Sequence, residues 1–330
     1  MRLKGARKKL PKKYLKQLFS LILIVIASLS FPLKIDTGAK YTFRNTSFEN
    51  YIVLTSSLER KVVIFNMRTQ TIDHFLNNVG IYPTISYLYN DKLLIIDSVG
   101  KQLILYNINK SETKIKNLEN KPIFYKRFKN NVFVLDSIGN LYGFNFDLDI
   151  VYFHKFLSDP DYFDFFDSKP IAFYIWREEF DLEYEDKLLN FNLNTPVLMV
   201  SKYILDLREG KILDFENKKI YETAPYISFG VIWNDKLYFG SMFTKEIYAF
   251  ENGKIYSELK LDFQPTNGKV LNNKLFVLSA SKNKLIIIDK DIKTFETEKF
   301  PVDVYVFNDK IFVVCAENGE INIIENKEGG

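Results

Sequence analysis

Ten acidic residues lie between residues 159 and 186, and they are the side chains of this 330-residue chain best suited to chemistry. Only two basic residues, Lys169 and Arg177, accompany them. Carboxylates beside exposed aromatic rings suit a binding patch for a cationic or glycan partner. The candidate residues of this acidic-aromatic patch are Asp159, Asp161, Asp164, Asp167, Trp176, Glu178, Glu179 and Asp181.

Two other interpretations of the same segment stay open. A solvated acidic rim needs no ligand, and the alternation in YFDFFD would place Asp164 and its phenylalanine neighbours on opposite faces of an ordinary strand. Alternatively, Asp159 and Asp161 offer alternating oxygen ligands for calcium. No glycine follows them, however, and no glutamate stands where a calcium-binding loop closes.

Other residues with chemical potential are few. The two histidines, His74 and His154, occur in TIDHFL and YFHKFL, where we expect surface or half-buried positions on outer strands. Cys315 is the single cysteine and stands in the apolar run IFVVC, which predicts a buried side chain. The G-x-S-x-G, G-x-G-x-x-G and P-loop signatures are absent from the sequence. We therefore expect no cofactor and no metal, and we favour a non-enzyme.

The elements that position these residues belong to a repeated pattern. An Asn- and Asp-rich turn precedes an apolar run at Asn90, Asn130, Asn234, Asn272 and Asn308. The intervals of 40, 104, 38 and 36 residues indicate a period near 35–40, with two units unmarked in the long gap. A strand-rich unit of this size is typical of a β-propeller.

Each unit reads as four strands, for example ISYLY, KLLIID, QLILYNI and ETKIKNL within residues 85–118. Nearly continuous apolar runs in the middle strands indicate burial on both faces. Residues 161–223 parse as two blades, or as one expanded blade, so the sequence predicts seven or eight blades. The final unit has three strands, and LKIDTG near residue 33 would supply the fourth and close the ring.

The units resemble the YVTN-type and related quinoprotein-like β-propeller repeats, which pair an xLYVxN strand with a VxVID strand. The similarity is carried by NNKLFVLSASKNKLIIID and NDKLLIIDSVGKQLILYN, and extends over residues 40–325. The family is functionally mixed, so the resemblance implies the fold and no active site. This chain lacks the YVTN tetrapeptide and the tryptophan motifs that accompany quinone cofactors.

The N-terminus predicts export. Eight basic residues fall within the first sixteen, and residues 17–33 carry no charge. This pattern is typical of a signal peptide or a single membrane anchor in residues 1–33, with the propeller, residues 34–330, outside the cytoplasm. The net charge is +4, and removing those eight leaves −4 for the remainder. A nucleic-acid partner is therefore disfavoured.

The sequence favours a non-catalytic, extracytoplasmic binding or scaffolding propeller with a protein or glycan partner at the cell envelope. The alternatives are a carboxylate-dependent lyase or hydrolase acting on glycans, and a structural component of the envelope. Two well-placed carboxylates would suffice for such an enzyme.

Overall fold

In the computed structural model, which describes residues 33–174, 180–193 and 196–325, thirty-two strands form eight four-stranded sheets. No helix occurs in these residues. Each sheet is one blade of a propeller, numbered here in chain order. First strands of neighbouring blades contact each other at several of the junctions between blades. First strands are therefore the innermost ones.

Blade 1 consists of β2 (Arg44–Phe48), β3 (Tyr51–Ser56), β4 (Lys61–Asn66) and β5 (Thr71–Leu76), and blade 2 consists of β6 (Pro83–Tyr89), β7 (Lys92–Asp97), β8 (Gln102–Asn107) and β9 (Glu112–Asn117). Blade 3 consists of β10 (Pro122–Phe128), β11 (Asn131–Asp136), β12 (Asn140–Phe144) and β13 (Ile150–Lys155), and blade 4 consists of β14 (Tyr162–Phe166), β15 (Lys169–Tyr174), β16 (Phe180–Tyr184) and β17 (Lys187–Phe191).

Blade 5 consists of β18 (Val197–Val200), β19 (Tyr203–Asp206), β20 (Lys211–Asp214) and β21 (Lys219–Glu222), and blade 6 consists of β22 (Ile227–Trp233), β23 (Lys236–Ser241), β24 (Glu246–Glu251) and β25 (Lys254–Lys260). Blade 7 consists of β26 (Asn267–Leu271), β27 (Lys274–Ser279), β28 (Lys284–Ile288) and β29 (Ile292–Glu296). Blade 8 consists of β30 (Pro301–Phe307), β31 (Lys310–Cys315) and β32 (Glu320–Glu325), and β1 (Leu33–Asp36) lies beside β32 as its fourth strand.

The apolar runs of the middle strands are explained by packing on both faces. On β3, Ile52 and Leu54 belong to the cluster shared with blade 8, and Val53 belongs to the cluster shared with blade 2. Successive residues of a strand point to opposite faces, so a strand between two neighbours needs apolar residues at every position. Outermost strands such as β9 face water and are mostly exposed.

Eight such clusters occur in the described residues, and each joins two neighbouring blades. The cluster between blades 8 and 1 includes Phe312 and Phe65, whose ring centroids are 5.9 Å apart. The first and last blades therefore pack together, and the fold is an eight-bladed propeller. Residues 161–223 form two blades, which resolves the choice between seven and eight.

The repeated Asn and Asp residues are explained by turn geometry. Asn234 and Asp235 both have positive φ angles, 48° and 61°, between paired strands β22 and β23. Such two-residue hairpins require left-handed backbone at both positions, which Asn and Asp tolerate better than most residues. The recurring phrase is therefore a structural signal for hairpins on one face of the propeller, which we call the hairpin face.

A left-handed residue with the same type of hydrogen bond recurs in the turns of the opposite face. In the seven blades whose second turn is fully described, the residue before the third strand has a φ angle between 49° and 81°. Its carbonyl accepts a hydrogen bond of 2.7–3.0 Å from a residue shortly after an outermost strand. These left-handed residues are Arg60, Lys101, Gly139, Gly210, Lys245, Asn283 and Gly319.

In blade 8 the donor comes from the other end of the chain. The backbone N–H of Thr37, which directly follows β1, donates to the Gly319 carbonyl at 2.9 Å, as Phe156 does to Gly139 in blade 3. Ala39 is fully buried in the cluster between blades 8 and 1. Residues 37–39 thus occupy the position in blade 8 that the segment after the outermost strand occupies in the other blades.

Cys315 is fully buried, as the sequence predicted. Burial, together with the nearby carboxylates of Glu298 and Glu320, raises the pKa of the Cys315 thiol to about 12. The thiolate, which is the reactive form, is therefore scarce at neutral pH. This side chain acts as a small apolar residue of the core.

The predicted leader and apolar segment, residues 1–32, lie outside the described residues. In the part of the chain that is described, no helix is long and apolar enough to cross a membrane.

Candidate functional site

The face opposite the hairpin face, called the loop face here, is formed by the turns between second and third strands and by the connections between blades. The two sets of segments meet there because strands alternate in direction within each sheet. Many large apolar side chains are exposed on it. They are Tyr41, Phe43, Leu58, Ile81, Tyr82, Val99, Ile138, Leu157, Tyr226, Phe243 and Phe300.

These side chains are partly grouped. The rings of Phe43 and Phe300 meet edge to face with centroids 5.8 Å apart, and those of Tyr226 and Phe243 are 6.1 Å apart. Phe243 is 69% exposed. In the described turns of the hairpin face, by contrast, no large apolar side chain is exposed. The described turns of the hairpin face are therefore polar, whereas the segments of the loop face carry exposed apolar groups, and this favours the loop face as an interaction surface.

The residues of the predicted acidic-aromatic patch are divided within blade 4. Asp159 and Asp161 precede β14, and Asp181 pairs across the sheet with Tyr174 at the end of β15, so these three lie toward the loop face. Asp167 lies in the β14–β15 turn on the hairpin face. Trp176, Glu178 and Glu179 fall within residues 175–179, outside the described residues.

Asp164 occupies a different environment, on the innermost strand of blade 4. Its carboxylate forms an ion pair with Lys126 on the innermost strand of blade 3. Asp303 and Lys269 repeat this arrangement between blades 8 and 7, with an Nζ–Oδ1 distance of 2.9 Å. Both carboxylates near the propeller axis thus have cationic partners, and β16, which carries Asp181, is two strands away from β14.

A pocket of about 180 Å³ lies between blades 3 and 4. His154 reaches it from β13, Glu183 from β16, and Asp186 from the turn after β16. One nitrogen or oxygen of each of these three residues lies within 4.8 Å of the others, and His154 Nε2 is 3.9 Å from Glu183 Oε1. It is the one grouping of His, Cys, Asp and Glu in the described residues that suits a metal ion.

The two oxygens of Glu183 differ in environment. Oε2 accepts hydrogen bonds from the Tyr174 hydroxyl at 2.5 Å and from the Leu157 backbone N–H at 2.8 Å. Oε1 is buried, and nothing in the described residues donates a hydrogen bond to it. The side chain is 1% exposed. Burial and the charge of Asp186 also raise the pKa of Tyr152, which lines the same pocket.

The other histidine occupies a similar place without the same partners. His74, on the outermost strand β5, lines a pocket between blades 1 and 2 that includes a single carboxylate, Asp91. Asp91 already accepts a hydrogen bond from Asn107. Both histidines are half-buried on outer strands, as the sequence predicted.

Sequence reasoning missed the grouping of His154, Glu183 and Asp186. One signal was present: the alternation in FDLEYED places Asp181 and Glu183 on one face of a strand and Leu182 on the other. That pattern places Glu183 on the face of the strand opposite Leu182. It does not show that His154 lies across the interface, because that contact depends on how two blades pack.

The comparisons with known proteins show the fold. No protein-family model and no curated protein matches the chain. Solved structures similar to it include the computationally designed protein Ika8, with a TM-score of 0.67 and 8% identity over 88% of this chain and 98% of that one. Virginiamycin B lyase from Staphylococcus aureus has a TM-score of 0.55 and 11% identity over 89% and 98%.

The structure of BBS1N in complex with ARL6DN is also similar, with a TM-score of 0.56 and 11% identity over 90% of this chain and 96% of that one. At identities this low, the likeness extends to the fold and not to activity. It agrees with the propeller architecture that the repeat resemblance implied.

Proposed function

We propose that this protein is an exported, non-catalytic binding propeller that holds a protein partner on its loop face. The observation that carries the proposal is the unequal distribution of exposed apolar side chains between the two faces. Rings such as those of Phe243 and Tyr226 supply large contact areas at small entropic cost, and aromatic residues are enriched where proteins bind each other.

Two further observations support a binding role. The carboxylates of Asp164 and Asp303, on innermost strands, are each ion-paired with a lysine, an arrangement that a structural role explains without catalysis. The similar propeller BBS1N was solved in complex with another protein, ARL6DN. The acidic residues Asp159, Asp161 and Asp181 lie toward the same face and would contribute polar contacts at its rim.

Substituting Phe243 should weaken partner binding. Full-length chains carrying Phe243→Asp would be crosslinked in native envelopes, recovered and compared with the unsubstituted chain by mass spectrometry. Loss of an aromatic anchor typically costs about 2 kcal/mol or more, which corresponds to an approximately 30-fold weaker complex. We therefore expect recovery of the partner to fall sharply.

The matched control for this experiment is Ile115→Asp. Ile115 is 55% exposed on the outermost strand β9, away from the loop face. Its substitution should leave recovery unchanged. Equal loss in both variants, or recovery of only glycans, would contradict a protein-binding loop face.

The proposal also places the propeller outside the cytoplasm, on the strength of the basic leader and the uncharged residues 17–33. Protease should therefore digest the propeller at the outer side of the cytoplasmic membrane, after removal of any covering layer. Deleting residues 1–33 should keep the chain inside and protected. Protection of the full-length chain while an exported marker is digested would overturn this location.

A further inference from the structure

We infer that His154, Glu183 and Asp186 form a binding site for one zinc ion at the seam between blades 3 and 4. The inference is independent of the proposed partner binding, because the seam pocket and the exposed side chains of the loop face are different surfaces. It rests on the juxtaposition of one imidazole and two carboxylates and on a buried carboxylate oxygen without a hydrogen-bond donor.

One carboxylate oxygen of Glu183, Oε1, is buried without a hydrogen-bond donor from the described residues. An ionised carboxylate removed from water needs a cation or hydrogen-bond donors on both oxygens. Glu183 has donors only on Oε2, from Tyr174 and Leu157, in the described residues. Lys169, which lines the pocket, is ion-paired with Glu185. A positive group at Oε1 would complete the site.

The donor set favours a divalent transition metal, and zinc is the ion proposed. Magnesium and calcium prefer oxygen ligands, and copper(I) prefers thiolates and thioethers, whereas imidazole nitrogen combined with carboxylate oxygen suits zinc. Ligand atoms around a tetrahedral zinc lie about 3.4 Å apart. His154 Nε2 and Glu183 Oε1 are 3.9 Å apart, so a small side-chain rotation brings them to that spacing.

Three protein ligands leave the fourth position of a tetrahedral ion open to the pocket. Asp186 is exposed and lies in a two-residue turn, so its carboxylate has room to approach. His154 belongs to blade 3, whereas Glu183 and Asp186 belong to blade 4. A zinc ion here would bridge the two blades and stabilise the folded state over the unfolded chain.

Metal counting tests the site. The full-length chain, purified in mild detergent without an affinity tag and stripped with chelator, would be incubated with zinc chloride, desalted and measured by elemental analysis. We expect about one zinc ion per chain, no retained magnesium, and a higher Tm with zinc. His154→Gln and Asp186→Asn should each reduce the retained zinc at least fivefold and abolish the rise in Tm.

His74→Gln is the matched control, because His74 is the other half-buried histidine that lines a seam pocket. This variant should retain about one zinc ion. Absence of zinc from the unsubstituted chain would overturn the site. Equal loss of zinc in the His74 and His154 variants, or full retention in the His154 variant, would also overturn it.

Discussion

Gly319→Ala should lower the Tm of this protein by about 5–10 °C, because the residue joins the two ends of the propeller. Gly319 has a φ of +69°, which a side chain raises in energy by about 1–2 kcal/mol. A Cβ atom there would also lie 1.9 Å from the Ala39 carbonyl oxygen. Relieving that overlap means moving backbone, for which overpacking data suggest about 1–3 kcal/mol more.

The movement would act on the hydrogen bonds between residues 37–41 and blade 8. Thr37 donates to the Gly319 carbonyl through its backbone N–H at 2.9 Å and through its hydroxyl at 2.5 Å, and Tyr41 N–H donates to the Ala316 carbonyl at 2.7 Å. These bonds connect residues far apart in the chain. Displacing Ala39 would strain them and disturb the cluster between blades 8 and 1.

The variant Gly253→Ala separates the two causes of the expected decrease in Tm, which are backbone strain and overlap with neighbouring backbone. Gly253 has a similar φ of +74°, but its added Cβ would meet only the Tyr221 side chain, at 3.2 Å. The backbone strain is therefore matched and the backbone overlap is absent. Thermal unfolding followed by circular dichroism should show a shift less than half that of Gly319→Ala. Equal decreases in Tm in the two variants would mean that the overlap with Ala39 contributes nothing to the destabilisation by Gly319→Ala.

Asp97→Ala should lower the free energy of unfolding by about 3–5 kcal/mol. Asp97 is fully buried at the end of β7. Its carboxylate accepts hydrogen bonds from the N–H groups of Ile81, Tyr82 and Gly100 at 2.6–2.9 Å, and from the Gln102 amide at 2.9 Å. Truncation removes four hydrogen bonds to a charged acceptor, and hydrogen bonds to charged groups contribute more to stability than those between neutral groups.

The same carboxylate makes stability depend on pH. Burial alone would raise the pKa of Asp97, but the hydrogen bonds from Ile81, Gly100, Tyr82 and Gln102 outweigh it and hold the pKa below its ordinary value of 3.8. A group whose folded pKa is depressed contributes stability above its unfolded pKa and loses it as pH falls through the folded pKa. The contribution of Asp97 is therefore complete near neutral pH and declines below about pH 4.

Asp97→Asn tests this dependence, since it keeps the shape and removes the ionisation. Denaturant unfolding between pH 3 and pH 7 should show a smaller acid-induced loss of stability in this variant than in the unsubstituted chain. Asp262→Ala is the control, because the Asp262 side chain is 79% exposed and should change stability by less than about 0.5 kcal/mol. Identical pH profiles for Asp97→Asn and the unsubstituted chain would refute the role assigned to this carboxylate.

The repeat, its strand pattern and its hairpin turns could be predicted from the amino-acid sequence. Apolar residues at successive positions of β3 and β7 predict strands buried on both faces, and Lys-rich β9 predicts an exposed outer strand. These features are readable because strand burial follows from local alternation. The paired Asn and Asp residues also marked the hairpins, since left-handed two-residue turns depend on the residues within them.

The number of blades and the grouping of side chains between neighbouring blades depend on how the blades pack, so they could not be predicted from the sequence. Residues 161–223 read as one blade or two until packing showed separate clusters on both sides of blade 5. The predicted acidic patch, continuous in sequence, is divided because successive turns of an antiparallel blade emerge on opposite faces. His154 and Glu183, 29 positions apart, meet because neighbouring blades pack face to face, and that contact leaves no local pattern in the chain.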